Sequence, residues 1–531
     1  MDRRGFLIGA AMAGAAGVGL LAGCSPKTES VSGDSGDSSP KLKEATKTIE
    51  ADVVVAGLGA AGLLAAWGAA KAGVKVVAVD SASSMTGTTN VRTSAPFCVG
   101  SKLQAASPEP LTIEEFMNHL NSGTNYQSNQ RALRNIIEAT GRAVDVFIDA
   151  GLPFNVDFAA TNKETAMMSR GGHLYGVAGD ERAEYFTAIA NEAGIECLFG
   201  TTAEALLFAD DGSVAGIQCV SGSDVIDIKA GAIVLATGGF LGNPEKVAEH
   251  FAGASIVCMG NELNTGAGID MAVSAGGQMG KCFSISMNEY GGANTKASPM
   301  YSFRPTSGTN EAMRLPVFGG LMVNKQGDRF VNEGVMCEKT MFCCEPLIRD
   351  SYHYAICDEA FMERWETEPL PNFLGDERMK GMFKDVYASD VREQFEKAVE
   401  EGWAFKADTL EELADHFGLT NLEETVSAYN EMCDAGADSQ FFKDAKYMAA
   451  LTKAPYYAVE SMPAGWLTLG GVKCDENCQV LTADNSPIKG LFVAGADADL
   501  FTSPYYAPGS ANGFAIGSGL IAGEAAAKAA K

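Results

Sequence analysis

Residues 53 to 62 read Val-Val-Val-Ala-Gly-Leu-Gly-Ala-Ala-Gly, and a second apolar run, Val74 to Val79, ends in Asp80. The first run suits a buried strand, the glycines a tight turn into a helix, and the second run a parallel neighbour. Gly57 permits the turn, Gly59 lets backbone approach a pyrophosphate, and Gly62 lets the helix pack closely on the strand. The helix N-terminus then faces the phosphates, and Asp80 sits where a ribose hydroxyl needs an acceptor. A purely structural glycine turn would leave the acid at that spacing unexplained. The unit therefore predicts a Rossmann-like α/β domain that binds a dinucleotide.

The preceding residues point to export. Asp2-Arg3-Arg4-Gly5-Phe6-Leu7 is a twin-arginine start, and an Ala/Gly-rich apolar stretch follows to Leu21-Ala22-Gly23-Cys24. This reads as a bacterial signal over residues 1–23 ending in a lipoprotein-type cleavage box, with Cys24 lipidated as the new N-terminus. A single spanning helix over residues 5–23 is the competing reading. Residues 24–48 are rich in Ser, Gly, Asp and Lys, which suits a flexible tether. The expected location is the extracytoplasmic face of the cell membrane.

Length and charge narrow the class further. The 531 residues allow two or three domains with a sizeable core. A net charge of −27 repels nucleic acid, although a local basic pocket survives in an acidic protein. The 13 cysteines form no CxxC pair and no CxxCH haem motif. Cys474-x3-Cys478 and Cys343-Cys344 are weighed as iron–sulfur contributors against buried thiols or disulfides, and no metal site is assigned. A charged helical stretch is expected from about Asp358 to Asp444.

Several later segments return to the first domain. Ser213 to Ile217 and Ala232 to Phe240 read as a meander and a buried strand ending in small residues; Gly490 to Gly495 is another such strand, and Gly509 to Ala530 a small-residue helix. Small residues at strand ends let backbone come close to a large flat cofactor.

From about residue 49 onward these segments resemble the flavoprotein superfamily of soluble fumarate reductases and 3-ketosteroid dehydrogenases. The resemblance is carried by Gly57-x-Gly59-x-x-Gly62, Ala236-Thr-Gly-Gly-Phe240, Asn264 to Gly268, Gly319 to Glu333, Gly470-Gly-Val472 and Gly490 to Gly495. Arg329-Phe-Val-Asn-Glu333 is the most specific of them. It implies FAD as the dinucleotide, an FAD-binding domain in two parts, 49–287 and 455–531, and an inserted α+β capping domain over 288–454. The cofactor contacts it implies are Gly57, Gly59, Ala60, Ala61, Gly62, Asp80, Ser81, Thr88, Thr89, Ala236, Thr237, Gly238, Asp497, Ser510 and Asn512. Ala496 occupies a place often held by an acidic or amide contact, with Asp497 adjacent. His173 is read as either a cofactor-edge or a structural histidine.

The departures from the family pattern bear on the substrate. The Arg that donates a proton in fumarate reductases, four residues after Glu333, is Cys337 here. The paired His before Gly-Gly-Val is Trp466-Leu467, the His-Pro-Thr is Asn288-Glu289-Tyr290, and the carboxylate-clamping Arg is Tyr506. Desolvating fumarate's two charges without partners costs roughly several kcal/mol each, so fumarate is a poor fit. Tyr505-Tyr506-Ala507-Pro508-Gly509 is similar to the Tyr-x-x-x-Gly of ketosteroid dehydrogenases, where the Tyr hydroxyl and Gly N–H hold a ketone oxygen. Those roles pass to Tyr505 and Gly509. Cys337 is a proton relay of fair acidity, with an unperturbed pKa of about 8.5, and Tyr506, Tyr290 and Tyr301 are rival donors. Asn288, Tyr290, Trp466 and Arg304 are expected to bind substrate, and Arg304, Arg314 and Arg92 are candidate anchors for one carboxylate.

The expected function is an exported reductase of a conjugated C=C bond in a bulky, mostly uncharged small molecule, such as a ketosteroid or plant-derived enone. A membrane quinol or cytochrome would supply its electrons. A dehydrogenase of the same substrates, an aryl acrylate reductase and a non-catalytic flavin-binding lipoprotein are the alternatives.

Overall fold

The computed structural model describes residues 42–93, 95–280, 284–292, 310–338, 352–500 and 509–531. Side chains of 284–292, 378, 379 and 382 lie outside that description. Strand Val53–Ala56 is entirely buried, as a β-branched run must be when sheet continues on both sides and other layers cover both faces. It occupies the middle of a six-stranded sheet in the order Gln479–Leu481, Pro487–Val493, Ala232–Leu235, Val53–Ala56, Val76–Asp80, Glu196–Phe199. All neighbours run parallel except the first pair. The strand near the C-terminus thus pairs with Ala232–Leu235, and the two strands of the glycine motif are adjacent.

Helix Ala60–Lys71 leaves that glycine turn, and helix Ser510–Ala529 lies against it. Their glycines explain the close approach. A Cβ on Gly519 would stand 2.1 Å from Ala61 O, and one on Gly523 would stand 2.0 Å from Ala65 O. Gly519 and Gly523 of the last helix therefore serve helix packing.

A meander of Thr202–Phe208, Val214–Ser221 and Asp224–Lys229 forms a second sheet with Lys47–Glu50. The third sheet is built on Tyr456–Leu469, a 14-residue strand. Antiparallel to it run Ser284–Gly292, His353–Asp358 and Ala404–Ala407; Leu321–Val323 pairs with His353–Asp358. The expected charged stretch contains helices Glu359–Thr367, Val391–Glu400, Leu410–Phe417 and Leu422–Ala435, interrupted by strand Ala404–Ala407.

The Arg329–Glu333 string ties this region together. Arg329 donates to Glu333 at 3.0 and 2.8 Å and to Asp438 at 3.2 and 2.9 Å. Lys443 donates to Gly319 O and to the Tyr429 hydroxyl. The side chains of all four charged residues are completely buried. Burial alone would lower the guanidinium's pKa, but the two carboxylates outweigh it and hold the charge.

Candidate active site

A large cleft opens at the carboxyl ends of Val53–Ala56, Val76–Asp80 and Ala232–Leu235, the usual position for a ligand in an open α/β sheet. It encloses a volume of about 240 Å³. Gly57 has φ +98°, and a Cβ there would stand 2.3 Å from Ala236 O; one on Gly62 would stand 1.7 Å from Gly57 O. Gly62 thus packs behind the wall, whereas a Cβ on Gly59 would meet nothing within 4 Å and that residue lines the cleft. Ala60 and Ala61 follow it along the wall. No side chain caps this helix, so its first amides are available to an anion.

Asp80 lines the cleft and accepts from Leu58 N at 2.6 Å and Ala82 N at 2.8 Å. Burial raises its carboxyl above the usual range despite those two donors. Each oxygen keeps a further lone pair, enough for ribose hydroxyls. Ser81, Thr88 and Thr89 continue the wall; the Thr88 hydroxyl is turned inward to Met85 O. Two residues that the motifs did not suggest hold this segment. Asn90 donates to Leu58 O at 2.8 Å, and buried Arg182 donates to Asn90 O, Val91 O and Thr93 O. Neither belongs to a spacing pattern, so only the fold brings them into view.

Across the cleft stand Ala236, Thr237 and Gly238. Asp497 lies behind them, fully buried, accepting from Thr237 N, Thr237 Oγ1 and Gly239 N. Ala496, not Asp497, faces the cleft. Asn512 lines it too, with Nδ2 donating to the Tyr175 hydroxyl at 3.3 Å. The Asn512 Oδ1 is buried and has no hydrogen-bond partner. Ser510 is buried outside the lining, whereas Gly509, the helix N-cap at φ +78°, is part of it.

Trp466 and Leu467 are half-buried in the cleft wall, with Leu263 46 % exposed and Arg92 exposed. Arg92 donates to Gly260 O, and a Cβ on Gly260 would stand 1.9 Å from Trp466 O. The guanidinium is therefore neighbour to the Trp466 backbone.

The structure does not bring every expected residue here. Cys337 is completely buried, lies outside the cleft lining, and has its thiol pushed up to about 12 by burial. That corrects the expectation of a fair acid, because a thiol so placed holds its proton at neutral pH. Arg314 is also buried, ion-paired with Glu311 and stacked on Phe383. His173 is buried away from the cleft: Nδ1 donates to Gly171 O at 2.9 Å, so Nε2 accepts from the Ser101 hydroxyl at 2.7 Å. Its role is structural. Asn288 and Tyr290 fall on Ser284–Gly292, where Tyr290 pairs with Pro463 and Met287 with Gly465; their side chains lie outside the described residues. So do Tyr301, Arg304, Tyr505 and Tyr506 entirely, together with Cys24, Cys343 and Cys344. Cys474 and Cys478 are free buried thiols. Among the described residues, no cluster of His, Cys, Asp and Glu could hold a metal ion.

Residues 52–513 match the FAD binding domain family. The chain belongs to that family. This flavoprotein is 28 % identical over 498 residues to a vinyl phenol reductase of Lactiplantibacillus plantarum, covering 90 % of this chain and 96 % of that one. It is 26 % identical over 541 residues to a digoxin reductase of Eggerthella lenta, covering 93 % and 91 %. Among solved structures, a flavocytochrome c3 fumarate reductase in its open conformation superposes with a TM-score of 0.64 at 25 % identity, over 92 % of this chain and 79 % of the other. The membership agrees with the resemblance read from the motifs.

FAD is the cofactor, and the cleft fits it. The open face of Gly59 and the uncapped helix start suit a pyrophosphate, and Asp80 suits the ribose. The orphaned Asn512 Oδ1 is an acceptor that a donor on the flavin ring system would satisfy. The protein is an FAD-dependent oxidoreductase.

Proposed function

We propose that this flavoprotein reduces a conjugated C=C bond in a bulky substrate that carries at most one charge. The observation that carries this reading is the composition of the cleft wall: Trp466, Leu467 and Leu263 are apolar, and Arg92 is the sole cation among the described lining residues. A dicarboxylate needs two cationic partners, and each carboxylate left without one costs roughly several kcal/mol. The relatives named for vinyl phenol and digoxin reduction support the same substrate class.

FAD, when bound, supplies a hydride to the β-carbon of the conjugated bond. The chain's part is to hold the substrate, exclude water and stabilise charge that develops on the conjugated oxygen. The backbone N–H of Gly509 and the hydroxyl of Tyr505 are the proposed donors to that oxygen. Residues 288–454 are proposed to cover the site. Tyr506 is the proposed proton donor, since Cys337 is buried and weakly acidic. Export as a lipoprotein anchored through Cys24, with a membrane quinol or cytochrome as electron donor, completes the proposal; Cys24→Ser is then expected to move the protein out of the membrane fraction.

The test is anaerobic reoxidation of dithionite-reduced holoprotein by a panel of enones, cinnamates, urocanate and fumarate. Fast reoxidation by at least one enone or cinnamate is expected, with little by fumarate. Fumarate turnover rivalling the best enone would overturn the reading, and failure of every acceptor would favour a non-catalytic flavin binder.

A further inference from the structure

We propose that Arg92 selects the substrate by pairing with a single anionic group, a carboxylate or acidic phenolate, on an aromatic, conjugated molecule. This rests on the reading of the cleft as a C=C reductase site and deepens it. Three arginines compete for such a role in the sequence. Arg304 lies outside the described residues, and Arg314 is buried in an ion pair with Glu311. Arg92 alone of the three is seen to line the cleft, and it is exposed there.

The position of Arg92 suits substrate selection. Its Nη1 donates to Gly260 O, which fixes the guanidinium beside the strand bearing Trp466. A guanidinium carries five N–H donors in a planar fork matched to a carboxylate. Gly260 is itself held: Met259 N donates to Gly465 O at 2.8 Å, and no side chain could replace the Gly260 hydrogen against Trp466 O. The anchor is therefore braced on one side, which lowers the entropy lost when a ligand arrives. Half-buried Trp466 and Leu467, with exposed Leu263, give the adjoining wall an apolar surface that an aromatic ring covers favourably. Among the described lining residues only one other is charged: Asp80, at the strand end assigned to the ribose. Among those described residues, one cation beside an aromatic wall fits the single carboxylate of an aryl acrylate better than the two of fumarate.

The experiment compares charged and neutral members of one skeleton on the FAD-loaded protein. 3-Phenylpropanoate and its primary amide, which cannot be reduced, are titrated into the oxidised holoprotein and binding is read from the flavin absorbance. Cinnamate and cinnamamide then serve as oxidants of the dithionite-reduced protein. The natural protein is expected to bind the acid at least tenfold more tightly than the amide. Arg92→Gln is expected to weaken the acid about 10- to 100-fold, the size of a lost charge-assisted hydrogen bond, and to leave the amide within about threefold. Arg92→Lys should recover part of the difference, and FAD content should be unchanged in both variants. No preference for the acid in the natural protein, an equal loss for acid and amide, or loss of FAD in Arg92→Gln would each overturn the assignment. Selective binding without reoxidation by cinnamate or any other acceptor of the panel would instead leave Arg92 standing and remove the reductase reading.

Discussion

At the scale of single residues, environment decides which motif-bearing or reactive groups can do chemistry. Cys337 and His173 are both reactive residue types in suggestive sequence positions, and both are sealed from solvent. Burial lowers the pKa of His173 to about 4. Its unfolded value is about 6.5, so the unfolded chain binds the extra proton between those two values. The folded state is thus undiminished above about pH 6.5 and loses stability as pH falls toward 4. The loss from this group is about 2 kcal/mol between pH 7 and pH 5. His173→Gln, which keeps a donor and an acceptor, should flatten the pH dependence of the unfolding midpoint by about that amount. A variant with the natural protein's full slope would show that another group carries it. Asp80 and Asn512 differ from these two because each keeps acceptor capacity on an open cleft.

At the scale of elements, the cofactor turn is held from behind. Helix Ser510–Ala529 presses Gly519 on Ala61 O and Gly523 on Ala65 O, so the first turn of Ala60–Lys71 cannot move independently of the C-terminus. Gly519→Val should force the helices apart, destabilise the protein by about 1–3 kcal/mol through overpacking, and lower FAD retention after gel filtration. Normal melting and full flavin content would show that the packing tolerates a side chain. Asp497 works in the same way from the other wall, joining Thr237 and Gly239 to the strand that precedes it. The quartet Arg329, Glu333, Asp438 and Lys443 is a second such clamp, far more buried than surface pairs such as Lys102–Asp149.

At the scale of the whole molecule, the described fold begins near Leu42. Lys43 N donates to Gln218 Oε1 at 2.8 Å, and Lys47–Glu50 pairs in register with Ile226–Lys229. A chain starting at Leu42 should fold, bind FAD at one equivalent and give the natural flavin spectrum, whatever residues 1–41 do for location. Loss of flavin on that truncation, seen by absorbance after gel filtration, would show that residues 1–41 contribute to the fold.

The sequence by itself determined the covalent grammar of the site: Gly57, Gly59, Gly62 and Asp80 stand in the strand–turn–helix–strand unit that their spacing requires, because turn geometry and strand register are local properties of the chain. It also marked Ala236 to Gly238 as wall, since short-range composition sets where backbone can approach a ligand, and the family resemblance marked Trp466. Only the tertiary structure decided that Arg92 lines the cleft while Arg314 is buried, that Asp497 stands behind Ala496, and that Asn90 and Arg182 brace the cofactor segment. Those outcomes depend on contacts between residues tens or hundreds of positions apart, such as Arg92 with Gly260 and Thr237 with Asp497. Burial and charge pairing are set by such contacts, and no spacing along the chain encodes them.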